Sequence, residues 1–73
     1  MNKTIYSDDH KNLIKKLKEA RAEAGLDQRT VAKLLGKTQS YISKIESGQR
    51  RIDIVQLKKF AKIYNKNLDF FVR

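Results

Sequence analysis

Gln39, Ser40, Ser43, Lys44 and Ser47 recur through TQSYISKIESG, residues 38–48, around Ile42 and Ile45 spaced three apart. The chemistry open to such residues is hydrogen bonding, from amides and hydroxyls that both donate and accept, with one ammonium among them. A face that is merely solvated is usually filled with Lys and Glu. Here half of one short helix is polar but mostly uncharged, and that calls for an explanation.

At about 100° per residue, with Ile42 and Ile45 turned to a core, Ser40, Lys44 and Ser47 point almost directly away. Ser43 lies beside them, and Gln39 and Tyr41 flank. That side offers donors, acceptors and a cation but no acid, which suits an electronegative surface bearing donors and acceptors of its own. The major groove of DNA is such a surface, where Gln pairs bidentately with adenine and Lys donates to guanine. On the wheel alone, a face polar without a partner fits equally well.

The elements that must position this face are legible from their punctuation. There is no proline, and all three glycines fall where a helix would stop: Gly25 after Ala24, Gly36 after Leu35 and Gly48 after Ser47. Glycine adopts the left-handed conformation of a helix C-terminus without a Cβ clash. Asn65, the next-best residue there, follows Tyr64. Four ends imply four helices, with a fifth short one after Asn67. Ser7, Asp27, Thr38, Asp53 and Asn67 are matching N-caps, Ser7 preceding the acidic pair Asp8 and Asp9. Asp53 with Gln56 fits a capping box.

Periodicity divides the chain the same way. Leu13, Leu17, Ala20 and Ala24 share a stripe in the first helix with Ile14 at its margin, and Val31, Ala32 and Leu35 do so in the second. Ile54, Leu57, Ala61 and Tyr64 line the fourth, with Phe60 beside them. No segment alternates like a strand, so the expected fold is all-α, a compact bundle of five helices. Residues 1–73 read as one domain, with 1–7 as a flexible N-terminal arm.

Composition narrows the function. The 73 residues include 17 Lys and Arg against 8 Asp and Glu, a net charge of +9 that favours a polyanionic partner. Residues 48–73 are the basic end, with seven Lys and Arg against two acids. Cysteine is absent and there is one histidine, so neither disulfides nor a zinc site is expected. No signal peptide or membrane-length apolar run is visible, so a soluble, cytoplasmic protein is expected. The basic run KNLIKKLKEAR has the look of a membrane-surface helix, but its apolar stripe is needed for the core, and Lys15, Lys16 and Lys18 read as a solvated face. Ser7, Asp8, Asp9 and His10 bring Ser, Asp and His together, yet consecutive helix-start residues share no pocket with an oxyanion donor. No catalytic residue, metal, cofactor or small-molecule ligand is expected.

From Gln28 to Ser47 the spacing is that of a helix-turn-helix. Ala32 stands where the two helices must approach, Gly36 forms the turn, and Val31, Leu35, Ile42 and Ile45 hold the crossing. Through AGLDQRTVAKLLGKTQSYISKIESGQRR and then LKKFAKIYNKNLDFF, the chain resembles the lambda-repressor-like helix-turn-helix domains of the Cro/CI (XRE) type. The resemblance runs from about Leu13 to Val72. It implies a five-helix domain that binds operator DNA as a dimer, with the third helix in the major groove. It further implies that Gln28 contacts a phosphate and braces the recognition helix, that Gln39, Ser40 and Lys44 reach base edges, and that Tyr41, Ser43 and Arg50 meet the backbone. Arg51 in the basic third is expected to join Arg50 on phosphate. Paired recognition helices of related repressors lie about 34 Å apart. The chain departs from the pattern at Lys37, where the turn usually carries an apolar residue, at Ile52, where proline is common, and at Asp27, where the cap is usually Ser or Thr.

Arg21 is four residues after Leu17 and Glu46 four after Ile42, so both charges fall on buried stripes. Each then needs a partner. They are expected to pair with one another, as the resemblance also implies, the alternative being that both lie at the stripe's edge in water. At the C-terminus, Leu68 and Phe71 packing inward would leave Phe70 and Val72 outside as a two-fold interface, the alternative being a fifth helix that buries Phe70 by wrapping inward. The expected function is a sequence-specific DNA-binding transcriptional regulator that occupies an operator, with double-stranded DNA and a second copy as partners. The rival is an antitoxin-type module that sequesters a partner protein and autoregulates through DNA, although the end at Arg73, directly after the fifth helix, leaves little surface for such a partner.

Overall fold

A computed structural model of the chain describes residues 8–73. Five helices follow in order: α1 Asp8–Glu23, α2 Gln28–Leu35, α3 Gln39–Glu46, α4 Ile54–Ile63 and α5 Leu68–Val72. The described residues contain no strand. The Ser7 cap and the arm over residues 1–7 lie outside the described residues.

One device closes four of the five helices. Gly25, Gly36, Gly48 and Asn65 have φ of 71°, 70°, 83° and 57°, so each turns the chain through the left-handed region. The following residue then bonds back over the last turn: Leu26 N–H to Arg21 O, Lys37 N–H to Ala32 O, Gln49 N–H to Lys44 O and Lys66 N–H to Ala61 O, at 3.2, 2.8, 2.9 and 2.9 Å. These bonds satisfy carbonyls the helix leaves open. The starts are closed by side chains. Asp27, Thr38, Asp53 and Asn67 accept from the N–H three residues on, at 2.7, 3.1, 2.8 and 3.1 Å. The capping box at Asp53 is only half made, because Gln56 Oε1 has no protein partner and returns no bond.

The helices share a core of Ile14, Leu17, Ala20, Val31, Ala32, Ile42, Ile45, Leu57, Phe60, Ala61, Tyr64 and Phe71. Burying an aliphatic or aromatic side chain of this size contributes about 1.5–3 kcal/mol. α3 lies against α1 and α2, α4 against α2 and α5, and α5 against α1. Phe60 and Tyr64, one turn apart, sit with ring centroids 5.9 Å apart.

Three stripe assignments shift once the helices cross. Ile14, expected at the margin, is buried while Leu13 is only half-buried, and Ala24 is exposed. Ile54, expected on the inner stripe of α4, is 56% exposed, whereas Phe60 lies at its centre. Ala24 lies beyond the end of α1, in the turn. The tail differs as well. Phe71 is buried, but Phe70 is half-buried rather than outside, its ring edge-on to Phe71 at 5.1 Å and faced by Lys16 Nζ at 5.0 Å and Lys66 Nζ at 4.6 Å. Val72 is 67% exposed.

Candidate nucleic-acid interface

α3 is held from behind and open in front. Ile42 and Ile45 are wholly buried, while Gln39, Ser40, Ser43 and Lys44 are exposed. Thr38 caps the first turn in extended conformation, with φ −90° and ψ 160°, so the backbone enters the helix at the start of the exposed face. Tyr41 is half-buried at the flank. Ser47 Oγ donates to Lys44 O at 3.2 Å and accepts from Gln49 Nε2 at 3.0 Å, closing the far end. Arg50 and Arg51 follow in the exposed loop before α4.

The single carboxylate of α3 is turned inward and neutralised. Glu46 Oε2 accepts from Arg21 Nε at 2.8 Å and Glu46 Oε1 from Arg21 Nη2 at 3.0 Å, a two-pronged pair linking α3 to α1. Arg21 Nη1 donates to Leu26 O at 3.0 Å, so the guanidinium also fastens the turn after α1. The Glu46 side chain is 5% exposed and that of Arg21 23%. The hydrogen bond to Glu46 raises the Arg21 pKa above its ordinary value, outweighing the effect of burial. With Glu46 consumed, the outward surface of α3 carries Lys44 as its charge.

Gln28 adds a link that the wheel could not reveal. Its Nε2 donates to Glu46 Oε1 at 3.0 Å, tying the first residue of α2 to the last of α3. Gln28, Arg21 and Glu46 thus fix the angle between the two helices. Tyr64 lies close by, its phenol pushed up first by burial and then by the Glu46 charge, and it stays neutral. The Asp27 carboxyl is held below the usual range by the Thr30 backbone N–H.

The second arrangement the wheel missed is at Tyr41, whose ring is faced by Lys37 Nζ at 5.2 Å and by Arg50 Cζ at 4.9 Å. The spacing of Lys37 and Tyr41, four apart, was the available signal for the first contact; nothing local signals the second. Phe70 and Val72 lie on α5. No group of three His, Cys, Asp or Glu side chains that could hold a metal ion occurs among the described residues. None of their helices is long and apolar enough to cross a membrane.

Comparison with known proteins agrees with this geometry. No curated protein matches the sequence. Among solved structures, the chain is similar to the restriction-modification controller protein C.AhdI from Aeromonas hydrophila, with a TM-score of 0.74 and 32% identity over 89% of this chain and 99% of that one. The helix-turn-helix family HTH_3 matches residues 17–71, which span α2 and α3 with the helices that brace them. The chain belongs to this Cro/CI-type, or XRE, family of DNA-binding helix-turn-helix regulators.

Proposed function

We propose that the protein is a sequence-specific transcriptional regulator that occupies an operator with α3 in the major groove. The observation that carries this is the division of α3 itself: Ile42 and Ile45 wholly buried, Glu46 paired inward, and Gln39, Ser40 and Lys44 exposed on an acid-free face. A helix with its side chains is about 10–12 Å across and the major groove about 12 Å wide, so the element fits the space. Gln39, Ser40 and Lys44 read base edges. Gln28, Tyr41, Ser43, Arg50 and Arg51 set register on the phosphates, which specify position but not sequence. For Gln28 this leaves its remaining amide hydrogen, because the other is spent on Glu46.

A homodimer completes the proposal, since one eight-residue helix covers only a few base pairs. Exposed Val72 is the apolar group offered to the second copy, with half-buried Phe70 contributing less surface. Restriction-modification control, the role of C.AhdI, is one setting in which such a regulator acts.

The deciding experiment is selection of bound sequences from random duplex DNA, followed by affinity measurements on the selected and unselected pools. A preferred two-fold site is expected. Lys44→Ala should relax preference at one base position, at a cost of about 1–3 kcal/mol there, whereas Arg51→Ala should weaken all sequences alike. Equal affinity of the wild-type protein for selected and random duplexes would end the proposal, and co-purification with an unrelated small protein would favour the sequestering role.

A further inference from the structure

The Tyr41 ring gathers two cations at the flank of α3. Lys37 precedes the Thr38 cap at one end of the helix, and Arg50 follows the other end, yet both reach the same ring, at 5.2 and 4.9 Å. The main chain at each is held in place: Lys37 N–H donates to Ala32 O at 2.8 Å and Arg50 N–H to Lys44 O at 3.2 Å. Tyr41 N–H is held by Thr38 Oγ1 at 3.1 Å. The negative face of the ring attracts each cation, but the cations repel one another. Among the described residues, neither Lys37 nor Arg50 forms an ion pair.

The protein contains its own contrast. Phe70 also gathers two cations, Lys16 and Lys66, and there Lys66 Nζ pairs with Glu23 Oε1 at 2.6 Å. At Phe70 the chain supplies the anion. At Tyr41 it does not, and the site adjoins the face proposed to enter the groove.

We infer that Lys37, Tyr41 and Arg50 form a clamp for the phosphate backbone of duplex DNA, in which Lys37 makes a phosphate contact of its own and Tyr41 is the positioning residue that holds both cations. This rests on the DNA-binding function proposed above. It also accounts for a lysine in a turn where the resemblance leads one to expect an apolar side chain.

The test uses the full chain and measures affinity against salt concentration on a selected duplex and on an unselected duplex of equal length. Each neutralised phosphate contributes about 0.9 to the slope of log affinity on log salt. Lys37→Gln is expected to reduce the slope by about that much and to weaken both duplexes by the same factor. Lys62→Gln, which removes the same charge from the last turn of α4, should leave the slope unchanged. Tyr41→Phe keeps the ring and should keep the wild-type slope even as loss of the hydroxyl's phosphate contact lowers affinity, while Tyr41→Leu, once shown to be folded by circular dichroism, should lower the slope. A wild-type slope for Lys37→Gln, an equal loss for Lys62→Gln, or a lowered slope for Tyr41→Phe would each overturn the clamp. Failure of the wild-type protein to bind any duplex would instead overturn the DNA-binding function on which it rests.

Discussion

Arg21 shows how much one side chain can settle. It joins α1 to α3 through Glu46 and to the turn after α1 through Leu26 O, so its loss leaves a buried carboxylate with Gln28 as its remaining donor. Arg21→Met is expected to destabilise the fold by about 3 kcal/mol, the lower end for a broken buried pair because the guanidinium keeps some solvent. Chemical denaturation checks this, and a wild-type midpoint would refute it. Adding Glu46→Leu to that variant should recover part of the loss, because an apolar pair leaves no charge unpaired. Asp27 makes a titratable prediction. Its folded pKa is depressed, so the cap is at full strength above the ordinary value of 3.8 and fades as pH falls through the folded value. Asp27→Asn keeps a capping oxygen without the titrating proton, and its stability should therefore depend less on pH in that acid range. Melting temperatures across the range measure the difference.

At the scale of the helix, the proposed function has α3 separate stability from recognition. Ile42→Ala should cost about 2–5 kcal/mol, as large-to-small changes at wholly buried sites do. Lys44→Ala should change stability by no more than about 0.5 kcal/mol while altering base preference. Melting and binding measured on the same two variants test that separation, and a strongly destabilised Lys44→Ala would contradict it. The turn before α3 behaves differently again. A Cβ at Gly36 would meet nothing within 4 Å, so the penalty for Gly36→Ala comes from its φ of 70° alone. About 1 kcal/mol is expected, visible in thermal melts.

For the molecule as a whole, the net charge of +9 sets the energetics of association. Affinity for DNA should fall steeply as salt rises, because phosphate contacts release condensed counterions. Basic residues lie on both sides of α3 in the chain, with Lys37 before it and Arg50 and Arg51 after it, so charge flanks its exposed polar face. Homodimer formation should appear in sedimentation as a mass rising with concentration above the 8.5 kDa of one chain. Val72→Asp should hold the protein at the lower mass. A strict monomer at high concentration, with and without duplex, would rule out the dimer.

Much of this was legible in the order of residues because helix ends are local events. A glycine or asparagine past the last turn, and an oxygen-bearing side chain before the first, act within three to five residues, so Gly25, Gly36, Gly48, Asn65, Asp27, Thr38, Asp53 and Asn67 could be assigned without knowing where the helices go. The inward placement of Ile42, Ile45 and Glu46 followed from the same local geometry. What only the tertiary structure decided depends on how helices rotate and cross. It put Ile14 inward and Leu13 at the margin, exposed Ile54, drew Phe70 down between Lys16 and Lys66, linked Gln28 to Glu46, and brought Arg50 back over the Tyr41 ring. Those contacts join residues whose separation is bridged by packing, and a periodicity of 3.6 residues fixes a side chain's direction only relative to its own helix axis.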